Sequence, residues 1–289
     1  MSYLWVALAL LSAFSLATMD ALTKKALRGG DELVVGWLRL ALSAPMLAAV
    51  LAVAERPPLD AAFYKAFAAA LPFEVLAFWL YIKALRLSPL SLTVPFLAFT
   101  PVFLVGVSYV LVGEAVTARG AAGIALVAAG SYVLNLSRTA EGLLGPLRAI
   151  AREKGSLLML LVAFIYSITS SLGKLAINHS SPLFFGPLYF IVLAAVYTPF
   201  ALPGLRRAVP TRSGLGIMLL VGALNAAMVL SHVLAISLAK VAYMVAVKRT
   251  SLLMSVAYGW LLFREENARE RLAGAALMLA GLALVVTAD

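Results

Sequence analysis

Apolar runs about twenty residues long, the length that spans the ~30 Å hydrocarbon of a bilayer as an α-helix, recur along the whole 289-residue chain. Short polar breaks separate them. The pattern predicts ten such helices, beginning near Tyr3, Leu33, Ala61, Ser88, Thr117, Gly155, Pro182, Ser213, Val241 and Arg269. Turn residues punctuate the runs at Arg28-Gly29-Gly30, Glu55-Arg56-Pro57-Pro58 and Gly204-Leu205-Arg206-Arg207. The third run carries the weakest signal, because Lys65, Glu74 and Lys83 interrupt it. The apolar N-terminus reads as the first span rather than a cleaved signal.

The longest polar stretch, 137–154, divides the chain into near-equal halves, 1–136 and 155–289. Its alternation of Leu143, Leu144, Leu147 and Ile150 with Arg148, Arg152 and Lys154 suits a short helix at the headgroup level. The halves resemble each other at an offset of about 150 residues. Leu22 falls on Leu172, Lys24 on Lys174, Gly36 on Gly186, and, after one added residue, Glu114 on Glu265, Gly123 on Gly274 and Gly130 on Gly281. Five spans per half is an odd number, so the second half must sit inverted relative to the first, a hallmark of secondary transporters. The expected fold is an all-α membrane protein of ten transmembrane helices in two inverted five-helix repeats.

Composition agrees with that pattern. The chain is 63% hydrophobic and 12% charged, with mean hydropathy +1.01, whereas a soluble domain is about one quarter charged. With no cysteine and two histidines, disulfides, thiol nucleophiles and thiolate metal sites are excluded, and no metal or other cofactor is expected. The formal charge of +10 would suggest nucleic acid in a soluble protein. Here the basic residues lie between apolar runs and meet lipid headgroups, so no nucleic-acid partner is expected. One alternate set of connections holds Lys24, Lys25, Arg28, Lys83, Arg86, Arg138, Arg148, Arg152, Lys154, Arg206, Arg207, Arg212, Arg264, Arg269 and Arg271; the other holds Arg56, Lys65, Arg119, Lys174 and Lys240. This bias of about three to one places the first set in the cytoplasm. A multi-pass cell-membrane protein with both termini outside is the expectation.

Lys248-Arg249 is the sharpest candidate site, about eight residues, or roughly 12 Å, into the ninth predicted helix. Each charge at a helix centre costs at least ~2.5–3.5 kcal/mol on insertion scales, so the pair must face a wet cavity or a counter-charge. Lysine and arginine together suit an anionic oxygen group; a structural ion pair with Glu74 or Asp20 is the plainer alternative. Helical spacing puts Met244, Lys248, Ser251, Ser255 and Tyr258 on one face, which reads as a polar cavity wall. Glu74 and Tyr81 share a face of the third helix, and Asn225 and His232 a face of the eighth; at the repeat offset Glu74 matches Asn225 and Tyr81 matches His232. Glu74 is a candidate for proton coupling or counter-charge; His232 is either a titrating group or a hydrogen-bonded packing residue.

Asp20 and Lys24, four apart, read as a local salt bridge, with Asp20 the other candidate counter-charge. Ser167, Ser170, Ser171 and Lys174 form a stripe that suits a cavity wall or gate. Arg39 reads as snorkelling to the nearer interface. Glu114 and Glu265 read as junctions with Arg119 and Arg269, Pro95 and Pro101 as interruptions of the fourth helix, and the four repeated glycines as close helix contacts.

The segments Ala84-Leu85-Arg86-Leu87-Ser88-Pro89-Leu90-Ser91 with Gly113-Glu114, and Val247-Lys248-Arg249-Thr250-Ser251-Leu252 with Gly259-Trp260-Leu261-Leu262-Phe263-Arg264-Glu265, resemble the drug/metabolite transporter superfamily, EamA type. A distant similarity reaches the triose-phosphate and nucleotide-sugar translocators. The resemblance implies a ten-helix inverted-repeat bundle. It also implies that the Lys248-Arg249 pair is similar to the pair that holds a phosphate in triose-phosphate translocators. The expected function is secondary transport of a small polar, anionic organic metabolite by alternating access, through exchange or proton coupling. The alternative is an exporter of amino acids or amphiphilic drugs. No Gly-x-x-x-x-Gly-Lys-Ser/Thr loop is present to make ATP the direct energy source. An enzyme is not expected, since no acid–base pair, metal spacing or activated nucleophile is found. The expected partners are a small solute and the bilayer, and a homodimer is compatible with the sequence. The family resemblance implies cytoplasmic termini, against the charge bias. Tags on both ends reachable only from outside the cell are the expected result; tags reachable only from the cytoplasm would overturn the charge-based orientation.

Overall fold

In the computed structural model, residues 3–88, 93–133, 154–207, 212–263 and 268–288 are described, and these fold almost wholly into helix, without a strand among them. In chain order the helices are α1 (Leu4–Leu27), α2 (Glu32–Ala41), α3 (Ala44–Val53), α4 (Ala61–Leu87), a 3₁₀ stretch (Val94–Phe99), α5 (Thr100–Val112), α6 (Ala118–Val133), α7 (Lys154–Asn178), α8 (Pro182–Arg207), α9 (Arg212–Leu238), α10 (Val241–Lys248), α11 (Ser251–Phe263) and α12 (Ala268–Val286). Among the described residues, seven helices, counting α2–α3 and the 3₁₀–α5 stretch each as one, are long and apolar enough to cross a membrane. The third run, doubtful from its charges, is one unbroken helix of 27 residues. There Glu74 is buried and Lys83 lies over the Trp79 ring at 4.6 Å. The interfacial helix expected within 137–154 falls outside the described residues up to 153, and Lys154 begins α7.

Local chemistry sets the breaks. Asp31 caps α2 by accepting from the N–H groups of Leu33 and Val34, and Asp60 caps α4 by accepting from Phe63 N–H; both satisfy orphan donors of a first turn. Gly113 ends α5 with φ +77°, the left-handed conformation that glycine adopts freely. Pro95 and Pro101 stand at the starts of the 3₁₀ stretch and of α5. Ser131 donates to the Pro95 carbonyl at 3.0 Å, so a side chain from α6 satisfies backbone at the interruption. The ninth expected helix is also interrupted: α10 ends at Lys248 and α11 begins at Ser251.

The most extensive helix pairings are α4 with α7, α1 with α9, and α6 with α12. Each joins the first half of the chain to the second. The α6–α12 crossing depends on glycine. A Cβ on Gly123 would stand 2.7 Å from the Gly281 carbonyl oxygen, and one on Gly130 would stand 2.7 Å from that of Gly274. Backbones this close admit no side chain.

Two lysines at equivalent positions of the halves close helix ends, a role the sequence pattern did not suggest. Lys24 donates to the carbonyls of Leu85 and Ser88 at the end of α4. Lys174 donates to those of Ile236 at 2.6 Å, Ser237 at 3.4 Å and Ala239 at 3.1 Å at the end of α9. Unpaired carbonyls and the negative end of the helix dipole favour a cation there. The expected Asp20–Lys24 salt bridge is therefore not formed, and Lys174 belongs to a helix junction rather than to a cavity wall. Glu114 completes that junction, accepting from Val241 N–H at 2.7 Å and standing 3.7 Å from Lys174. Its partner is not Arg119. Glu265 lies outside the described residues. On the same face, Asp60 meets Nδ1 of His179 at 2.8 Å.

Gly130→Ala should destabilise the protein by about 1–3 kcal/mol, as overpacking does, read as a lower melting temperature in detergent. Gly106→Ala, where a Cβ would meet nothing within 4 Å, should leave it unchanged or slightly raised. The Phe63 N–H and then the His179 ring hold the Asp60 carboxyl below its ordinary value of 3.8. Stabilisation from a depressed carboxyl is complete above that ordinary value and is lost as pH falls through the lower folded one. The melting temperature of Asp60→Asn should therefore fall less steeply than that of the wild type as pH drops below about 4.

Candidate functional site

A cavity of about 120 Å³ lies at the centre of the bundle, lined by side chains of α1, α2, α4, the 3₁₀ stretch and α7 to α10, together with Arg249. At ~10–15 Å³ per water-sized occupant it holds roughly ten of them. Its polar lining is Arg39, Glu74, Tyr81, Tyr166, Thr169, Ser170, Tyr189, Asn225, His232, Lys248 and Arg249, and Phe78, Phe185 and Phe190 add aromatic faces. None of the lining residues is exposed.

Each charge has a distinct environment. Arg39 is 4% exposed. Its Nη1 donates to Asp20 at 3.2 Å and its Nε to Oδ1 of Asn225 at 3.3 Å, while its guanidinium lies 5.5 Å from the Tyr81 ring centre and 5.6 Å from that of Phe78. Tyr81 donates its hydroxyl proton to the other oxygen of Asp20. Asn225 in turn donates to Ser43 Oγ at 3.1 Å. Glu74 is buried and lines the cavity with Thr169. Lys248 Nζ reaches Met228 Sδ at 3.2 Å and His232 Nδ1 at 3.4 Å. Arg249 Nε and the Tyr189 hydroxyl are buried without a hydrogen-bond partner among the described residues.

The cavity is built from equivalent positions of the two halves. Leu16 faces it with Tyr166, Arg39 with Tyr189, Glu74 with Asn225, Tyr81 with His232, and Leu97 with Lys248. The first two pairs are 150 residues apart and the other three 151. The two interrupted segments correspond as well, since α5 starts at Thr100 and α11 at Ser251, 151 residues later. Matched interruptions in two halves mark the binding region of inverted-repeat transporters. The halves differ in chemistry at this point. The first presents Leu97 and Ala98 where the second presents Lys248 and Arg249.

Of the residues singled out from the sequence, Lys248, Arg249, Glu74, Tyr81, Asn225, His232 and Ser170 line the cavity. Asp20 stands directly behind it as the partner of Arg39. The polar face expected along the ninth helix does not form, because the break at Arg249 interrupts helical periodicity. Ser251 is buried with an unpartnered Oγ among the described residues, Ser255 is half-buried, and neither is among the lining residues. Tyr258 shares a hydrogen bond of 2.7 Å with Thr18. Ser167 and Ser171 turn to backbone carbonyls of their own helix, and Lys174 lies at the α9 end. Arg39 is the residue that sequence reasoning misplaced. It does not snorkel, because Asp20 and Asn225 hold it inside. Its repeat counterpart Tyr189, and Tyr166 as the counterpart of Leu16, were legible only by carrying the repeat offset through positions where the two residue types differ.

The EamA-like transporter family matches the chain twice, over residues 3–136 and 153–287. A solved crystal structure has the same fold, with a TM-score of 0.77 at 16% identity, covering 98% of this chain and 99% of its own. No curated protein matches the sequence. Covered in both halves by the same family, the chain belongs to the EamA-like transporters.

Proposed function

We propose that this protein is a secondary transporter that carries a small anionic organic metabolite across the cell membrane by alternating access of two inverted five-helix repeats. Membership of a transporter family already assigns it membrane transport of some solute. The observation that carries the finer reading is the charge of the cavity. Arg39, Lys248 and Arg249 face it against Glu74 alone among acidic lining residues. Buried charge without a counter-charge is strongly unfavourable, and an anionic solute supplies the missing partner. Lysine offers it a compact charge and arginine a planar fork of donors.

Alternating access is supported by the matched interruptions and by the pairings α1–α9 and α7–α4, each the repeat counterpart of the other. The proposed boundaries are 1–136 and 155–289, joined by 137–154, with both termini on the outer side. Exchange or coupling to a proton on Glu74 would drive the cycle. A second reading keeps the transporter and exports an amino acid or an amphiphile. It is favoured by Glu74 lining the same cavity as six aromatic rings, which suit an ammonium group and an apolar body.

A ligand that binds only the folded state raises its melting temperature by mass action, ~2.7 kcal/mol at a hundredfold excess over Kd. Phosphorylated and carboxylate solutes should stabilise the purified protein. Lys248→Ala should weaken them at least tenfold, as expected for loss of a hydrogen bond from a charged group, ~1.5–3 kcal/mol. Stabilisation by cationic or neutral amphiphiles, equal in both proteins, would overturn the anion reading in favour of the exporter.

A further inference from the structure

We propose that Arg39 is a second anion-holding residue, opposed to the Lys248-Arg249 pair, and that the solute is therefore a short organic dianion with acidic oxygens at both ends. This inference rests on the anion reading of the cavity and narrows its substrate class.

The donor count on Arg39 is the starting point. A guanidinium has five N–H donors in a fixed plane. Asp20 takes one through Nη1 and Asn225 one through Nε. Three remain on a side chain that is 4% exposed and lines the cavity. Asp20 does not itself line the cavity, so it holds the cation from behind and leaves the front of the fork free. The aromatic rings of Tyr81 and Phe78 flank the guanidinium and fix its plane. Such a group is oriented before any ligand arrives, which lowers the entropy lost on binding.

The opposing pole comes from the other half of the chain. Arg249, also 4% exposed, has an unpartnered Nε among the described residues, and Lys248 has no carboxylate within ion-pair distance among them. Arg39 on α2 and Lys248 at the end of α10 line the same cavity. A monoanion at one pole leaves the donors of the other facing an apolar or aromatic end group, and unpaired buried donors are what let a polar site reject an analogue. A dianion satisfies both poles. It also bridges the first half to the second, since Arg39 stands on α2 while the pair sits at the α10–α11 break. A cavity of about 120 Å³ limits the solute to a short chain.

The test compares succinate with butyrate, equal in carbon number and differing by one carboxylate, by calorimetry and thermal shift on the full chain in detergent. Arg39→Gln alone leaves Asp20 buried without its cation. The decisive variant is therefore the pair Asp20→Asn with Arg39→Gln, which removes both charges and keeps side chains able to hydrogen-bond. The wild type should prefer succinate by tenfold or more. The paired variant should lose that preference while holding butyrate within about threefold of its wild-type affinity, and Lys248→Gln should weaken both. An unchanged preference in the paired variant, or none in a wild type that binds butyrate, would overturn the role of Arg39 and leave the anion reading standing. A wild type that binds neither succinate nor butyrate nor inorganic phosphate would overturn both.

Discussion

A charge inside a bilayer-embedded bundle must be compensated by the protein itself, and the architecture follows from how each is compensated. Lys24 and Lys174 are absorbed by carbonyls at helix ends. Arg39 is absorbed in part by Asp20. Lys248 and Arg249 are not absorbed by any carboxylate within ion-pair distance among the described residues, and they face an internal cavity. The proposed anionic solute supplies the counter-charge that they lack inside the protein.

The cavity borrows its shape from the repeat and its chemistry from the departures from it. Matched interruptions at Thr100 and Ser251 open backbone at corresponding places, and five pairs of equivalent positions line the space. Yet Leu97 corresponds to Lys248, Glu74 to Asn225 and Arg39 to Tyr189. The duplicated pattern supplies two similar halves, and the positions at which they differ supply the charge of the cavity. The glycine contacts of α6 and α12 and the cross-half pairings of α1 and α4 hold the halves in register around it.

Helix positions were legible because lipid imposes an unambiguous length and polarity on each span. Expected starts at Ala61, Pro182 and Val241 coincide with α4, α8 and α10. The cavity was legible where a charge or amide stood alone on an apolar face, as with Glu74, Asn225 and Lys248. It was illegible where the outcome depended on tertiary partners. Spacing of four suggested that Asp20 meets Lys24, but Arg39 reaches Asp20 from another helix and Lys24 is drawn to the α4 end. Ser251 and Ser255 followed from an unbroken helix that the Arg249–Thr250 turn interrupts. Arg39 looked free to snorkel because nothing local in the sequence reveals the Asp20–Asn225 cradle.

The most direct test of alternating access uses the absence of native cysteine. Tyr64→Cys and Leu238→Cys place spin labels at exposed positions of α4 and α9, one in each half. Distances measured by pulsed electron resonance in lipid nanodiscs should fall into two populations, with saturating succinate or inorganic phosphate shifting their ratio. A single distance, indifferent to every anion, would contradict a bundle that rocks around an anion-holding cavity.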